Sequence, residues 1–174
     1  MNVLTCALCA VFAFAAAEAS AQAAGPSDAQ IAAIVVAANQ VDIDAGRLAV
    51  GKANAKDVKT FAQQMITDHT GVNKQASELV TKLGVKPEEN DTSQSLKREG
   101  EQSVARLQKL EGAAFDRAYV AREVAYHQTV IDALDKTLVP NAKNAELKAL
   151  LVKVRPAFVA HLEHAKSLQA KLGK

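Results

Sequence analysis

The stretch VKTFAQQMITDHTGVNKQASELVTKL, residues 58–83, decides the fold. Within it Val58, Ala62, Met65, His69, Val72, Ala76, Leu79 and Leu83 recur at alternating spacings of four and three, the period of one face of an α-helix. A strand would need apolar residues at every second position, and none of the segment reads that way. One member of the row, His69, is not apolar.

Three further segments repeat the pattern, and each is interrupted once. The first runs Ile31, Val35, Ala38, Asp42, Ala45, Ala49. After residue 83 come Val120, Val124, His127, Ile131, Leu134, Leu138 and then Leu147, Leu151, Val154, Phe158, His161, Ala165, Leu168. Burying a polar group without a partner costs about a few kcal/mol, so four such interruptions call for a common explanation.

Boundary signals cut the chain at regular intervals. Ser27 with Gln30 reads as a capping box opening a helix that runs to about Gly51, and Asn54 with Asp57 repeats the signal for a second helix ending at Gly84. The turn between them is short, which predicts antiparallel packing. Gly84 to Ser93, with Pro87, reads as the one long loop, and a shorter helix follows from about Ser95 to Leu110. Ala113 to Leu138 is helical again and is broken at Pro140 and Asn141; Asn144 caps the last helix, which runs to about Lys171 and carries Pro156 inside it. The pattern predicts an all-α protein: two helical hairpins forming a four-helix bundle with a short extra helix in the long connection.

Composition agrees. Of 174 residues 49% are hydrophobic and only 4% aromatic, with no Trp, a balance that suits closely packed helices better than sheets. The net charge of +2 comes from interspersed acids and bases and not from a basic stripe, which excludes nucleic acid as the expected partner. No Gly-rich phosphate loop, HExxH motif or nucleophile elbow occurs. The sequence names no protein partner and is compatible with a homo-oligomer.

The beginning of the chain reads differently. Val3 to Ala17 is an apolar run of signal-peptide length, followed by small residues that fit an A-x-A cleavage site at Ala19-Ser20-Ala21 or Ala21-Gln22-Ala23. The expectation is a signal peptide over residues 1–23, a single bundle domain over 24–174, and a periplasmic location. The run is shorter than the ~20 residues that span a bilayer, and the mature chain offers no transmembrane segment. Cys6 and Cys9 both fall in this leader, so any metal in the mature protein would be held by imidazole, carboxylate or water.

The four interruptions supply such donors. His69, His127 and His161 with Asp42 would make a three-histidine, one-carboxylate shell suited to Fe, Zn, Cu or Ni. Asp68 directly precedes His69, and Glu123 lies one helical turn before His127, so both are further candidate ligands. Counted from the first turn, His69 lies about six residues deeper than Asp42, or ~9 Å at the helical rise, which makes Glu123 a rival for the carboxylate position. The competing expectation needs no metal: a buried hydrogen-bonded network of these histidines with carboxylates and with Tyr119 and Asp116. His164 reads as a boundary residue, Asp44 as solvated and Met65 as core filler.

Two sets of residues resemble a known family. Asn39-Gln40-Val41-Asp42, Gly46-Arg47-Leu48-Ala49, Val58-Lys59-Thr60-Phe61-Ala62 and Met65-Ile66-Thr67-Asp68-His69-Thr70 resemble the first half of the domain-of-unknown-function 4142 (DUF4142) proteins. Gly112-Ala113-Ala114-Phe115-Asp116-Arg117-Ala118-Tyr119, His127, Pro156 and His161 match the second half in order and spacing. The resemblance implies a ferritin-like fold and export from a bacterial cell. The family often carries an outer-membrane label, although this chain lacks the alternating ~10-residue strands of a membrane barrel. Where the family commonly has Glu, this chain has Asp42. The Glu-x-x-His repeats of di-iron proteins are absent, with Ile66 three residues before His69 and Phe158 three before His161.

The resulting expectation is an exported helical bundle holding a transition metal between its helices, in a stress or metal-handling role. The alternative is a metal-free structural or interaction protein of the envelope. Enzymatic activity would rest on nothing beyond the acid/base capacity of histidine beside a carboxylate.

Overall fold

The computed structural model describes residues 25–173; the leader expected over residues 1–23 lies outside them. The elements are α1 (Asp28–Lys52), α2 (Lys56–Lys82), α3 (Asp91–Gln108), α4 (Gly112–Ala133), a π-helical segment (Leu134–Leu138), the single turn α5 (Val139–Asn141) and α6 (Ala145–Leu172). No strand occurs among the described residues. The chain is all-α, as its periodicity predicts, with α1, α2, α4 and α6 as the four bundle helices.

Each boundary has a local cause. The Ser27 capping box forms as expected, with Ser27 Oγ accepting from the Gln30 amide at 3.2 Å and Gln30 Oε1 accepting from the Ser27 amide at 3.1 Å. At the end of α2 the Gly84 amide reaches the Thr81 carbonyl and the Val85 amide the Val80 carbonyl, the paired bonds of a Schellman motif. That motif needs a left-handed residue after the helix, which Gly84 supplies at φ +64°. The third helix starts earlier than Ser95, because Asn90 and Ser93 form a second capping box. Near the end of α4, Pro140 can neither donate to the carbonyl four residues back nor fit beside it. The preceding turn widens, and the Val139 amide bonds Leu134 O, five residues back.

Two aspartates set how the hairpins lie against each other. Asn54 was the expected cap of α2, but the capping position is Ala55, whose side chain accepts nothing. Asp116, from the first turns of α4, accepts the Asn54 and Ala55 amides instead, at 2.9 and 2.8 Å. Asp28, at the start of α1, does the same for the Lys143 and Asn144 amides at 2.8 and 2.9 Å. Each hairpin therefore begins beside the other's turn, and the two pack head to tail. As a result α2 and α4 run in the same direction, so the chain must return the length of the bundle between them. Helix α3 makes that return at ~27 Å for its 18 residues, lying along α1. Gly100 permits the approach: a Cβ there would stand 2.6 Å from Val41 Cγ2.

The core has two apolar regions. One gathers Ala49, Phe61, Met65, Phe115, Tyr119 and Leu168; the other gathers Ile31, Val72, Ile131, Leu151, Phe158 and Leu162. Between them in sequence on α1, α2 and α4 fall Asp42, His69, Glu123 and His127, and on α6 His161 stands one residue before Leu162, where the second region gives way to the first; all are at most 3% exposed. A polar layer thus divides the core across its middle.

Candidate metal centre

Four helices contribute to this layer. Asp42 comes from α1, His69 from α2, Glu123 and His127 from α4 and His161 from α6. One donor atom from each of His69, His127 and His161 lies within 4.8 Å of the others, and the same holds for Asp42, Glu123 and His127. The ring centroids of the three histidines are 5.3 to 5.6 Å apart.

The axial offset expected between Asp42 and His69 does not keep them apart: His69 Nε2 stands 2.8 Å from Asp42 Oδ2. Two effects close the gap. Helix α1 continues to Lys52 and α2 begins only at Lys56, so both residues are counted from a turn at Ala53 to Ala55 and the offset shrinks to about 4.5 Å at the helical rise. Side chains also lean toward the N-terminus of their own helix. In an antiparallel pair Asp42 leans away from the turn and His69 back toward it, so they meet.

Each histidine has one ring nitrogen committed to a fixed acceptor. Asn39 donates its amide nitrogen to Val35 O, which turns its Oδ1 toward His69 Nδ1 at 2.7 Å. His127 Nδ1 faces the Glu123 backbone carbonyl at 3.0 Å, and His161 Nε2 faces Asp68 Oδ2 at 2.9 Å. All three acceptors lack hydrogens to give, so those nitrogens carry the ring hydrogens. The opposite nitrogens, His69 Nε2, His127 Nε2 and His161 Nδ1, are buried and without a hydrogen-bond partner. Asp42 Oδ2 is in the same position, because its contacts to His69 Nε2 and, at 3.4 Å, to His127 Nε2 lack hydrogen-bond alignment.

Protonation follows from burial and from one cation. Burial pushes His127 down to about 4 against the pull of Asp42, and it lowers His161 against the pull of Asp68. Both rings are neutral near pH 7 and present a lone pair on the free nitrogen. Burial alone would raise Asp42, but Arg122, with His69 and His127, holds it well below the usual carboxylate range. Glu123 goes the other way: burial, opposed by Arg122 and reinforced by Asp42, pushes it well above the usual range. Burial and one shared cation thus push the two adjacent carboxyls in opposite directions. Burial and then Glu123 likewise raise Tyr119, whose hydroxyl has no partner.

Sequence reading missed the residue that organises these charges. Arg122 Nη1 bonds both Asp42 Oδ1 and Glu123 Oε1, while its guanidinium lies 4.3 Å above the Tyr126 ring. Tyr126 in turn donates to Ala38 O at 2.8 Å. Arg122 is one residue from Glu123 and looks like a surface position in the helical pattern, yet its side chain is only 12% exposed. Asn39 was also missed as a partner, although it lies four residues after Val35 and three before Asp42 on the buried side of α1.

The other candidates separate clearly. Asp68 stands outside the ring of donors, bonded to His161 and itself 40% exposed in its side chain. Glu123 is adjacent to the donors but tied to Arg122. Asp116 belongs to the hairpin cap, not to the polar layer. His164 is at the surface with its ring edge on Phe61, 5.0 Å away, and Asp44 is exposed.

No curated protein and no solved structure matches the chain. The sequence profile described as "Domain of unknown function (DUF4142)" matches residues 13–168, through every bundle helix and every residue of the polar layer. On that match, which spans nearly the whole chain, the protein belongs to the DUF4142 family.

Proposed function

We propose that the protein binds a transition-metal ion within the bundle through His69, His127, His161 and Asp42, and that it serves metal handling or a stress response in the periplasm. One observation carries the reading: three buried imidazoles, each fixed from outside by a hydrogen bond, leave their other nitrogens without partners beside an ionised carboxylate. Outer partners of this kind orient metal-binding histidines and fix their tautomers. A metal at about 2.0–2.1 Å from each donor needs donors roughly 3.3 Å apart, and the 2.8 and 3.4 Å separations at Asp42 Oδ2 bracket that value. With both cysteines confined to residues 6 and 9, the donors are nitrogen and oxygen, which suits Fe, Zn, Cu or Ni.

A metal-free envelope protein with a buried network is the second reading. It accounts for Asn39, Asp68 and Arg122 but leaves the donor atoms Asp42 Oδ2, His69 Nε2, His127 Nε2 and His161 Nδ1 buried without a partner, each at a cost of about 1–3 kcal/mol. Export rests on the apolar leader of residues 3–17; among the described residues no helix is long and apolar enough to cross a membrane.

Titration of the chelator-stripped protein with Zn, Cu, Ni and Fe tests the proposal. The expected result is one ion per chain for at least one of these metals, with a rise in Tm. Absence of stoichiometric binding for all four would overturn it.

A further inference from the structure

On the side of the polar layer away from Tyr119, a cavity of about 30 Å³ reaches the rings of His69 and His127. We propose that it admits an uncharged diatomic molecule of dioxygen's size and is the route by which such a molecule reaches the histidines. The inference rests on the metal reading for what the molecule would do there, but not for whether it binds.

Size sets the first limit. A single water needs about 10–15 Å³ of such space, so this cavity holds about two water-sized groups, the volume of a diatomic. Composition sets the second. No Asp, Glu, Lys or Arg lines the cavity, and its far wall is aliphatic, with Val72, Leu134, Leu138, Leu151 and Val154. The wall carries no charged side chain to draw in a hydrated cation, so this is not the entry for a metal.

Water is a poor occupant as well, since a buried water requires two to four polar partners. The polar groups on the wall are already engaged. Asn39 bonds Val35 O and His69, Tyr126 bonds Ala38 O, and His127 Nδ1 bonds Glu123 O. The remaining nitrogens of His69 and His127 have no partner, but they face Asp42 and are covered, so a water in the cavity does not reach them. An apolar cavity with no spare partner within reach stays dry and takes apolar guests.

Access and origin are both legible in the fold. Among the lining residues Val35, Ala38, Tyr126 and Val130 are partly exposed, which puts the mouth between α1 and α4. Those two helices touch far less than α1 touches α2 or α4 touches α6. At the far end, Leu134 and Leu138 are the first and last residues of the π-helical segment, so the widened turn forms part of the wall.

The test uses metal-free protein with labelled Val and Leu methyl groups, recorded by NMR under several bar of dioxygen and, as control, of nitrogen. Paramagnetic broadening concentrated on Val72, Leu134 and Leu138, beyond that of the exposed Val152 methyls, is the expected result. It should be lost in Val130→Phe, which plugs the mouth, with Tm retained; Ala38→Leu at the same mouth serves if V130F does not fold. Broadening no greater than at Val152, or unchanged in a folded plug variant, would overturn the proposal. Gas binding without metal uptake would overturn the metal reading and leave this one standing.

Discussion

His69 Nε2 and Asp42 Oδ2 face each other at 2.8 Å across the first hairpin, and neither has a hydrogen-bond partner. The distance is that of a bond, but the alignment is not. Asn39 accepts from Nδ1 of the same ring and so turns Nε2 toward the carboxylate. A ring nitrogen and an ionised carboxylate facing each other in a buried layer offer a cation two donors, and this is the basis of the reading of the site.

Asn39 should therefore matter to metal affinity without touching the metal. Asn39→Leu removes the acceptor that orients His69 and fixes its tautomer, and is expected to weaken binding roughly 10- to 100-fold. Calorimetric titration beside His69→Ala, which deletes a ligand and should lose more, checks the order. Equal losses in the two variants would count against an indirect role for Asn39.

Arg122 compensates Asp42 inside the bundle. Arg122→Met leaves that buried carboxylate without its cation and is expected to cost about 3–5 kcal/mol in the metal-free protein, measured by denaturant unfolding. Adding Asp42→Asn removes the charge itself, so the double variant should recover part of the loss. Additive penalties would show that the two side chains do not compensate each other.

Acid should destabilise the metal-free protein over a defined window. His127 titrates at about 4 when folded against 6.5 ordinarily, and His161 shifts in the same direction. The unfolded chain thus takes up these protons first. Their contribution is fully present above about pH 6.5 and is lost as pH falls from there toward 4, amounting to about 3 kcal/mol for His127. Unfolding free energies at pH 7 and pH 4.5 test this, and His127→Gln should flatten the difference.

The paired caps are a prediction about the fold alone. Asp28→Ala and Asp116→Ala each leave two backbone amides of the opposite hairpin's turn without an acceptor, and each should cost about 0.5–2 kcal/mol. Because the two lie at opposite ends of the bundle, the double variant should show the sum. Thermal or denaturant unfolding of the three variants measures it, and a strongly non-additive result would contradict the head-to-tail arrangement.

The architecture was legible because it rests on local signals. The four-and-three spacing, the Ser27 box, Gly84 and Pro140 each act within a few residues of themselves. Asp116 was not legible as a cap, since its partners Asn54 and Ala55 are some sixty residues away and any acid at a helix start looks alike in sequence. Asp42, His69, His127 and His161 were found because a polar side chain in an apolar row stands out. Arg122 was missed for the converse reason: it occupies an unremarkable helical position and reaches inward with a long side chain that periodicity does not follow. The level of Asp42 against His69 was misjudged because residue counting follows the backbone axis, whereas side chains in antiparallel helices lean toward one another.

The central claim concerns which atoms hold the metal, and X-ray absorption at the edge of the bound ion measures that most directly. The account predicts a first shell of three imidazole nitrogens and one carboxylate oxygen at about 2.0–2.2 Å in the Zn-loaded protein. Loss of one imidazole is expected in His161→Ala. A shell of oxygens alone, or one unchanged when His69, His127 or His161 is replaced, would contradict it.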